Sequence, residues 1–224
     1  MKALIFDSGT LINLSMNGLL YILEGLKRDF DGKFLITQKV KYETIDRPVG
    51  IQRFELGALG IKDLIDTGVI EMSTSMDVDE SELNNETKIL MDSANHFMQI
   101  KGKWVHLVEE AEMSCLALSK ELSKRGINCM IAVDERTTRM LSENPENLLR
   151  IMSEKLHQKI QSNPEGNESF SQYKFIRSTE IAYVAYKKGL IKLKGNRVLE
   201  AVLYATKFKG SSVSLEEIDI LKKL

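Results

Sequence analysis

Two aspartates stand directly after apolar runs that are typical of buried strands. Asp7 follows residues 3–6, Ala-Leu-Ile-Phe, and Asp134 follows residues 128–133. Parallel strands end at the same edge of a sheet, and open α/β sheets place their functional sites at that edge. We therefore expect the carboxylates of Asp7 and Asp134 to lie close together.

Two glutamates stand on helical segments near the same edge. Glu43 lies on the helix expected after a short strand at 34–36. Glu112 lies in the first turns of a helix expected at 109–124, just before the strand that leads to Asp134. If the sheet is parallel, both glutamates converge with the two aspartates at one end of it.

Clustered carboxylates repel one another, so they stay ionised together only when a cation neutralises them. Hard oxygen ligands suit Mg²⁺ or Mn²⁺, which keep several waters and take substrate phosphate oxygens as further ligands. Such a site activates water and stabilises a phosphoryl group under in-line attack. The acids Asp7, Glu43, Glu112 and Asp134 therefore predict a catalytic metal centre.

Each acid also has a purely structural interpretation. Asp7 or Asp134 could cap the helix that follows it. Glu43 could face solvent from a short helix, as glutamates on such helices usually do. Glu112, together with Glu109 and Glu110, could simply complement the positive end of its own helix.

Strand-like runs alternate with amphipathic helical segments along most of the chain. The runs lie at 3–6, 34–36, 69–72, 128–133 and 173–177. Helical spacing fills most of the intervals: apolar residues from Leu11 to Leu26 predict one helix, with Ser8 or Thr10 as its cap, and further helices are expected at 81–98 and 145–161. This alternation predicts a three-layer α/β fold with a mostly parallel central sheet flanked by helices.

The pattern changes near Gly189. Residues 1–189 contain the alternation of strands and helices, whereas residues 190–224 predict helices and loops only. A polar segment at 162–171 is expected to be a loop. We therefore predict one α/β domain with a small helical C-terminal extension.

The charge balance gives no general attraction to nucleic acid. The 224 residues include 31 basic and 32 acidic side chains, for a net charge of −1, so any contact with RNA must depend on a local patch. No apolar run approaches the roughly 18–20 residues that span a bilayer. Asp7 interrupts the N-terminal apolar stretch, which is too short for a signal peptide, so we expect a cytoplasmic location and no membrane partner.

The cysteines and histidines do not form a metal-binding pattern. Cys115 and Cys129 form no CxxC pair and are expected to be buried thiols. His96, His106 and His157 lack ligand spacing, which disfavours zinc or histidine catalysis.

Four short motifs follow one another in an order that resembles the PIN-domain family of metal-dependent nucleases, over about residues 2–189. They are the stretch LIFDSGTLI at 4–12, the Val-x-x-Glu at 40–43, the segment EEAE at 109–112 followed by Leu-Ala-Leu at 116–118, and the stretch IAVDER at 131–136. The long segment between Glu43 and Glu112 and the tail after Gly189 exceed the length of the compact toxin ribonucleases of the family. The composition and the helical tail resemble those of a stand-alone archaeal-type member.

The resemblance implies a PIN-like fold and Mg²⁺- or Mn²⁺-dependent hydrolysis of phosphodiester bonds, usually in RNA. It makes Asp7, Glu43, Glu112 and Asp134 metal ligands or supporting acids. It also implies that Ser8 or Thr10 positions substrate or water. Arg136 would contact phosphate, with a structural salt bridge as the alternative. The expected protein is thus an RNA-cleaving endonuclease.

Two other functions stay open. Residues 6–11 also resemble the first motif of haloacid-dehalogenase phosphatases, which need a second acidic group two residues after the nucleophilic Asp. Gly9 occupies that place. Alternatively, a PIN-like domain without catalysis would serve as an RNA-binding or assembly scaffold, since fold does not fix function. A homodimer is a further open expectation.

Overall fold

The computed structural model describes residues 1–157, 159–163, 170 and 172–224. The loop predicted at 162–171 therefore lies mostly outside the described residues, because 164–169 and 171 do not belong to them. The mean hydropathy of the whole chain is −0.18.

Strands alternate with helices along the chain, as predicted. In chain order, the strands are β1 (Lys2–Phe6), β2 (Gly32–Ile36), β3 (Glu71–Met72), β4 (Met98–Ile100), β5 (Lys103–Trp104), β6 (Asn128–Ala132), β7 (Ile160–Ser162) and β8 (Phe175–Ile176). The α-helices are α1 (Ser8–Met16), α2 (Tyr21–Asp29), α3 (Gln38–Lys41), α4 (Gln52–Asp66), α5 (Glu80–Asn95), α6 (Glu110–Lys124), α7 (Arg136–Glu143), α8 (Pro145–Leu156), α9 (Ser178–Lys187), α10 (Val198–Phe208) and α11 (Leu215–Lys223). A π-helix spans Tyr42–Asp46 and a 3₁₀ helix spans Ser73–Met76.

The main sheet has five strands in the order β3-β2-β1-β6-β8, and all of its pairs are parallel. The strand order reverses beside β1, because the chain goes from β1 to β2 on one side and reaches β6 on the other. The crevice outside the carboxyl ends of β1 and β6 is therefore the switch point at which such sheets bind ligands. Asp7 follows β1 and Asp134 lies two residues after β6.

The central strands are apolar along their length because helices cover both faces of the sheet. Ile5 in β1 lies between Leu35 of β2 and Ile131 of β6, and all three side chains are fully buried. Helices α5 and α6 pack together, with α6 against β1 and β6, while α9 packs against α1, α2 and α10. The predicted α/β fold with a parallel sheet flanked by helices is confirmed, in a form consistent with three layers.

Several predicted elements differ in extent. The helix expected from Leu11 to Leu26 is two helices, because the chain turns after α1 at Gly18, where φ is +64°. The helices expected at 81–98 and 145–161 end earlier because the residues that follow them form a small antiparallel sheet, in which β4 pairs with both β5 and β7. This second sheet was not predicted.

The C-terminal helices α10 and α11 are tied to the rest of the chain. Leu203, Val213 and Ile218 form a small apolar cluster of their own. Buried Arg177, just before α9, forms ion pairs with Glu180 and, at 2.8 Å, with Glu217 of α11. The division into 1–189 and 190–224 stays a prediction.

The predictions for the cysteines and for membrane-spanning segments can be compared with the fold. Both Cys115 and Cys129 are free and buried, as expected. Among the described residues, no helix combines the length and apolarity needed to cross a bilayer.

Candidate functional site

Asp7 is the N-cap of α1. Its backbone is extended, with φ −81° and ψ 158°, and its Oδ2 accepts a hydrogen bond from the backbone N–H of Gly9 at 3.1 Å. The structural interpretation of Asp7 as a cap is therefore correct, and the expected caps Ser8 and Thr10 instead form the first turn of the helix. Capping occupies one carboxylate oxygen and leaves the other free for a further role.

The environment of Asp7 disfavours its charge. The residue is only 3% exposed, and its Oδ1 is buried without a hydrogen-bond partner. Burial raises the pKa of Asp7 to about 7. The nearby backbone N–H groups of Gly9 and Ser8 oppose this rise, and repulsion by Glu43 and Asp134 adds to it. An unpaired buried carboxylate oxygen of this kind is a destabilising feature unless something binds it.

Asp134 lies next to Asp7 across the sheet, where the Asp7 N–H donates to the Ala132 carbonyl oxygen at 3.0 Å. Both oxygens of Asp134 are hydrogen-bonded: Oδ2 accepts from Asn13 Nδ2 at 2.9 Å, and Oδ1 accepts from the Ser178 N–H at 2.8 Å. Burial still raises its pKa, although these bonds oppose the rise. Asp134 does not cap the following helix, since Glu135 does.

Glu112 combines a capping role with an unfavourable charge. Its Oε2 accepts from the Glu109 N–H at 3.2 Å in a capping box, and also from the Thr138 hydroxyl at 3.0 Å. Burial raises the pKa of Glu112 to about 8, and repulsion by Asp7 and Glu135 contributes to the rise. Glu112 therefore complements its own helix, as the alternative interpretation had it, and also interacts electrostatically with Asp7.

Glu43 lies in the π-helix that follows α3. The turn is closed by a hydrogen bond from the Arg47 N–H to the Tyr42 carbonyl oxygen at 2.9 Å. Glu43 is half-buried, and within the described part of the chain its carboxylate has no hydrogen-bond or ion-pair partner. It is near enough to Asp7 to raise the pKa of that residue. Glu43 is therefore the least constrained of the four acids.

The donor set fits a hard divalent cation chemically, since it consists of carboxylate oxygens that repel one another, one of them buried without a partner. The side chains are not arranged as a finished site. Among the described residues, no three Asp, Glu, His or Cys side chains are grouped closely enough to hold a metal ion. Binding would therefore require a side-chain rearrangement, for which Glu43 is free.

A thiol lies beneath the acids. Cys115 on α6 is fully buried, and its Sγ lies 3.5 Å from the Phe6 carbonyl oxygen. Burial raises the pKa of this thiol well above its usual range, and the negative charges of Asp7 and Glu112 add to the effect. Cys115 therefore packs beneath the acids as a buried, protonated thiol and does not act as a nucleophile.

The predicted substrate-binding residues occupy different environments. Ser8 and Thr10 are both buried, Thr10 completely, and neither hydroxyl has a hydrogen-bond partner. Arg136 opens α7 and is exposed, and it forms no ion pair with any described residue. The alternative of a structural salt bridge at Arg136 is thus not observed, and its guanidinium is free to meet an anion.

Three polar residues that hold the acids in place were not predicted: Asn13, Thr138 and Ser178. Asn13 carried a signal, since it lies next to Leu14 on the buried side of α1, and a polar residue among buried apolar ones normally has a specific partner. Thr138 and Ser178 carried none, because a hydroxyl residue in the first turn of a helix is common.

No protein-family model, curated protein or solved structure matches this chain. The resemblance to the PIN-domain family therefore depends on the four short motifs and on where their acids lie. Those acids come from the ends of β1 and β6, from the start of α6 and from the π-helix, and electrostatic repulsion links Asp7 to each of the other three.

Proposed function

We propose that this protein is an Mg²⁺- or Mn²⁺-dependent endoribonuclease of PIN-like type that hydrolyses phosphodiester bonds. The observation that carries the proposal is the carboxylate of Asp7 at the switch point of the sheet. It is buried, it has a free oxygen, and it is repelled by Glu43, Glu112 and Asp134. Keeping these acids charged at neutral pH requires a cation, and no Lys or Arg in the described chain forms an ion pair with any of them.

The hydrogen bonds of the four acids suggest a different role in metal binding for each of them. Asp7 would be the central ligand, because its Oδ1 is free while its Oδ2 is held by the Gly9 N–H. Asp134, saturated by Asn13 and Ser178, would supply fixed negative charge beside it. Glu43 and Glu112 would complete the set. A bound Mg²⁺ or Mn²⁺ would activate water and stabilise the charge that develops on the phosphoryl group.

Arg136 is the residue best placed to neutralise the substrate outside the metal site. It follows Glu135 directly, and Glu135 interacts electrostatically with Glu112. A free, exposed guanidinium near these acids supports a contact with a phosphate oxygen, where its planar fork binds two oxygens at once. RNA is the expected partner. Because the net charge of the chain is −1, binding of RNA would depend on a local contact such as that of Arg136.

The test is cleavage of a labelled single-stranded RNA with Mn²⁺ or Mg²⁺, and with EDTA as the blank. We expect metal-dependent cleavage that falls at least about 100-fold in Asp7→Asn, since removing a central ligand removes the site. The matched control is Asp66→Asn, the same chemical change at an exposed carboxylate paired with Lys62 on α4. This variant is expected to cleave as the wild type does.

Two results would contradict the proposal. Absence of cleavage with every divalent metal, together with retained RNA binding, would favour the catalytically inactive RNA-binding scaffold. Formation of a phospho-aspartate at Asp7 from a phosphate ester would favour the phosphatase, although Gly9 lacks the general acid which that chemistry needs.

A further inference from the structure

An open groove of about 650 Å³, a size that suits a small ligand or part of a larger one, is lined by residues that neighbour two of the acids in sequence but by none of the four acids themselves. It is lined by residues of α3 and the π-helix, which follow β2, by the start of α5, and by Glu110 at the start of α6. Tyr42 and Glu110 of this lining are one and two residues from the acids Glu43 and Glu112. The groove therefore opens at the same edge of the sheet as those acids.

The charges of the groove do not favour a phosphate group. Lys39 lines it but forms an ion pair with Glu110 at 2.8 Å. Two further carboxylates line the groove: Asp46, which forms an ion pair with Lys41 at 2.8 Å, and Glu80, which forms none with any described residue. Among the described lining residues, negative charge therefore exceeds positive charge. Such a surface repels an anion and is better suited to a neutral group.

Three lining side chains offer contacts that are not used within the described chain. The ring of Tyr42 is 57% exposed and has no aromatic or cationic neighbour. The amides of Gln38 and Asn84 are exposed and have no hydrogen-bond partner. An open aromatic face with amide donors and acceptors beside it is the chemistry that recognises an unpaired base, by stacking and by bonds to its edge.

The π-helix relates this groove to the acids. π-helical turns are rare and are frequently found at functional sites. In this π-helix, two adjacent residues have different surroundings: Tyr42 lines the groove, whereas Glu43 interacts electrostatically with Asp7. Their Cα atoms are about 3.8 Å apart across one peptide bond. One turn of the backbone therefore carries both a side chain of the groove and an acid of the candidate site.

We propose that this groove is a subsite for one unpaired nucleobase of a single-stranded RNA, stacked on Tyr42 and hydrogen-bonded by Gln38 and Asn84. The placement of this base next to the cleaved bond rests on the proposed nuclease function. The binding of the base itself does not, and the two can be tested separately.

The experiment measures the affinity of a short fluorescent single-stranded RNA by anisotropy in EDTA, so that nothing is cleaved. Tyr42→Ala is expected to weaken binding roughly 5- to 100-fold, the usual effect of losing one stacked base. Tyr42→Trp is expected to keep the affinity and, with Trp104→Phe removing the natural tryptophan, to lose fluorescence when RNA is added. Phe208→Ala, at an exposed aromatic in α10, is the control and should bind as the wild type does.

The outcomes separate the two proposals. If the wild type cleaves RNA but Tyr42→Ala binds it with unchanged affinity, the subsite is wrong and the nuclease stands. If RNA binding depends on Tyr42 but no metal supports cleavage, the subsite stands and the nuclease falls. Quenching of the Tyr42→Trp protein by a Lys-rich peptide and not by RNA would overturn the subsite in favour of a peptide-binding groove.

Discussion

The side-chain amide of Asn13 donates to Asp134 Oδ2 at 2.9 Å and to the Thr206 carbonyl oxygen at 2.8 Å. One buried amide therefore joins α1, the end of β6 and α10. The Asn13 Oδ1 is also used, since it accepts from Asn17 Nδ2 at 2.8 Å. Through this residue, α10 helps to fix the carboxylate of Asp134 in the candidate site.

Replacing Asn13 is expected to destabilise the fold. Asn13→Ala would leave Asp134 Oδ2 and the Thr206 carbonyl oxygen buried with one donor fewer each, so the free energy of unfolding should fall by about 2–4 kcal/mol. Urea denaturation measures it. Asn17→Ala, which removes a part-buried donor to the Asn13 Oδ1 and to the Asn13 carbonyl oxygen, should lower it by about 1 kcal/mol or less. Equal effects of the two substitutions would contradict the bridging role of Asn13.

The metal-free protein should lose stability as the pH rises from about 4 to 8. Burial and neighbouring acids raise the pKa of Asp7 to about 7 and of Glu112 to about 8, above their ordinary values of 3.8 and 4.5. Between these limits the folded chain binds more protons than the unfolded chain. The stability that protonation provides is fully present below the unfolded pKa values and is lost as the pH passes the folded ones.

Asp7→Asn is expected to remove part of this pH dependence, because the amide does not ionise. At pH 8 the variant should be more stable than the metal-free wild type by roughly 1–4 kcal/mol, and at pH 4 the two should be similar. Urea denaturation at a series of pH values in EDTA measures both. Parallel pH profiles for the two proteins would show that Asp7 is not held in a charge-disfavouring site.

The central sheet and its acids were predictable because their signals are local. An apolar run that stops at Asp7 or Asp134 reflects a strand covered on both faces, and parallel strands bring such ends together. The partners of these acids were not predictable in the same way. Asn13 and Ser178 are separated from Asp134 by 121 and 44 residues, so only the folded chain shows which donors meet it.

Some elements of the fold were not predicted for a similar reason. Strands β4 and β7 are three residues each and pair across a distance of about sixty residues along the chain, so no repeated pattern marks them. The π-helix around Glu43 also has no local signature, since its residues suit an ordinary helix. The π-helix nonetheless supplies Tyr42 and Asp46 to the lining of the groove and carries Glu43.

Arg177 should be important for stability, because it connects α9 to α11. Arg177→Met would remove a buried guanidinium that pairs with both Glu180 and Glu217, and we expect a loss of about 2–4 kcal/mol in the free energy of unfolding. Glu217→Gln should have a smaller effect, about 1 kcal/mol or less, since that side chain is partly exposed. Both are measured by urea denaturation. If Arg177→Met left the free energy of unfolding unchanged, α11 would not be anchored by these ion pairs.

Divalent metal should stabilise the wild type in proportion to its occupancy of the site. At a concentration about 100 times its Kd, Mn²⁺ would add about 2.7 kcal/mol, because it binds the folded chain and relieves the repulsion around Asp7. For a chain of this size the melting temperature should then rise by roughly 5–10 °C at pH 8. Asp66→Asn should show the same rise. Asp7→Asn should start from a higher melting temperature in EDTA and gain little from Mn²⁺, so an equal gain in both variants would place the bound metal away from Asp7.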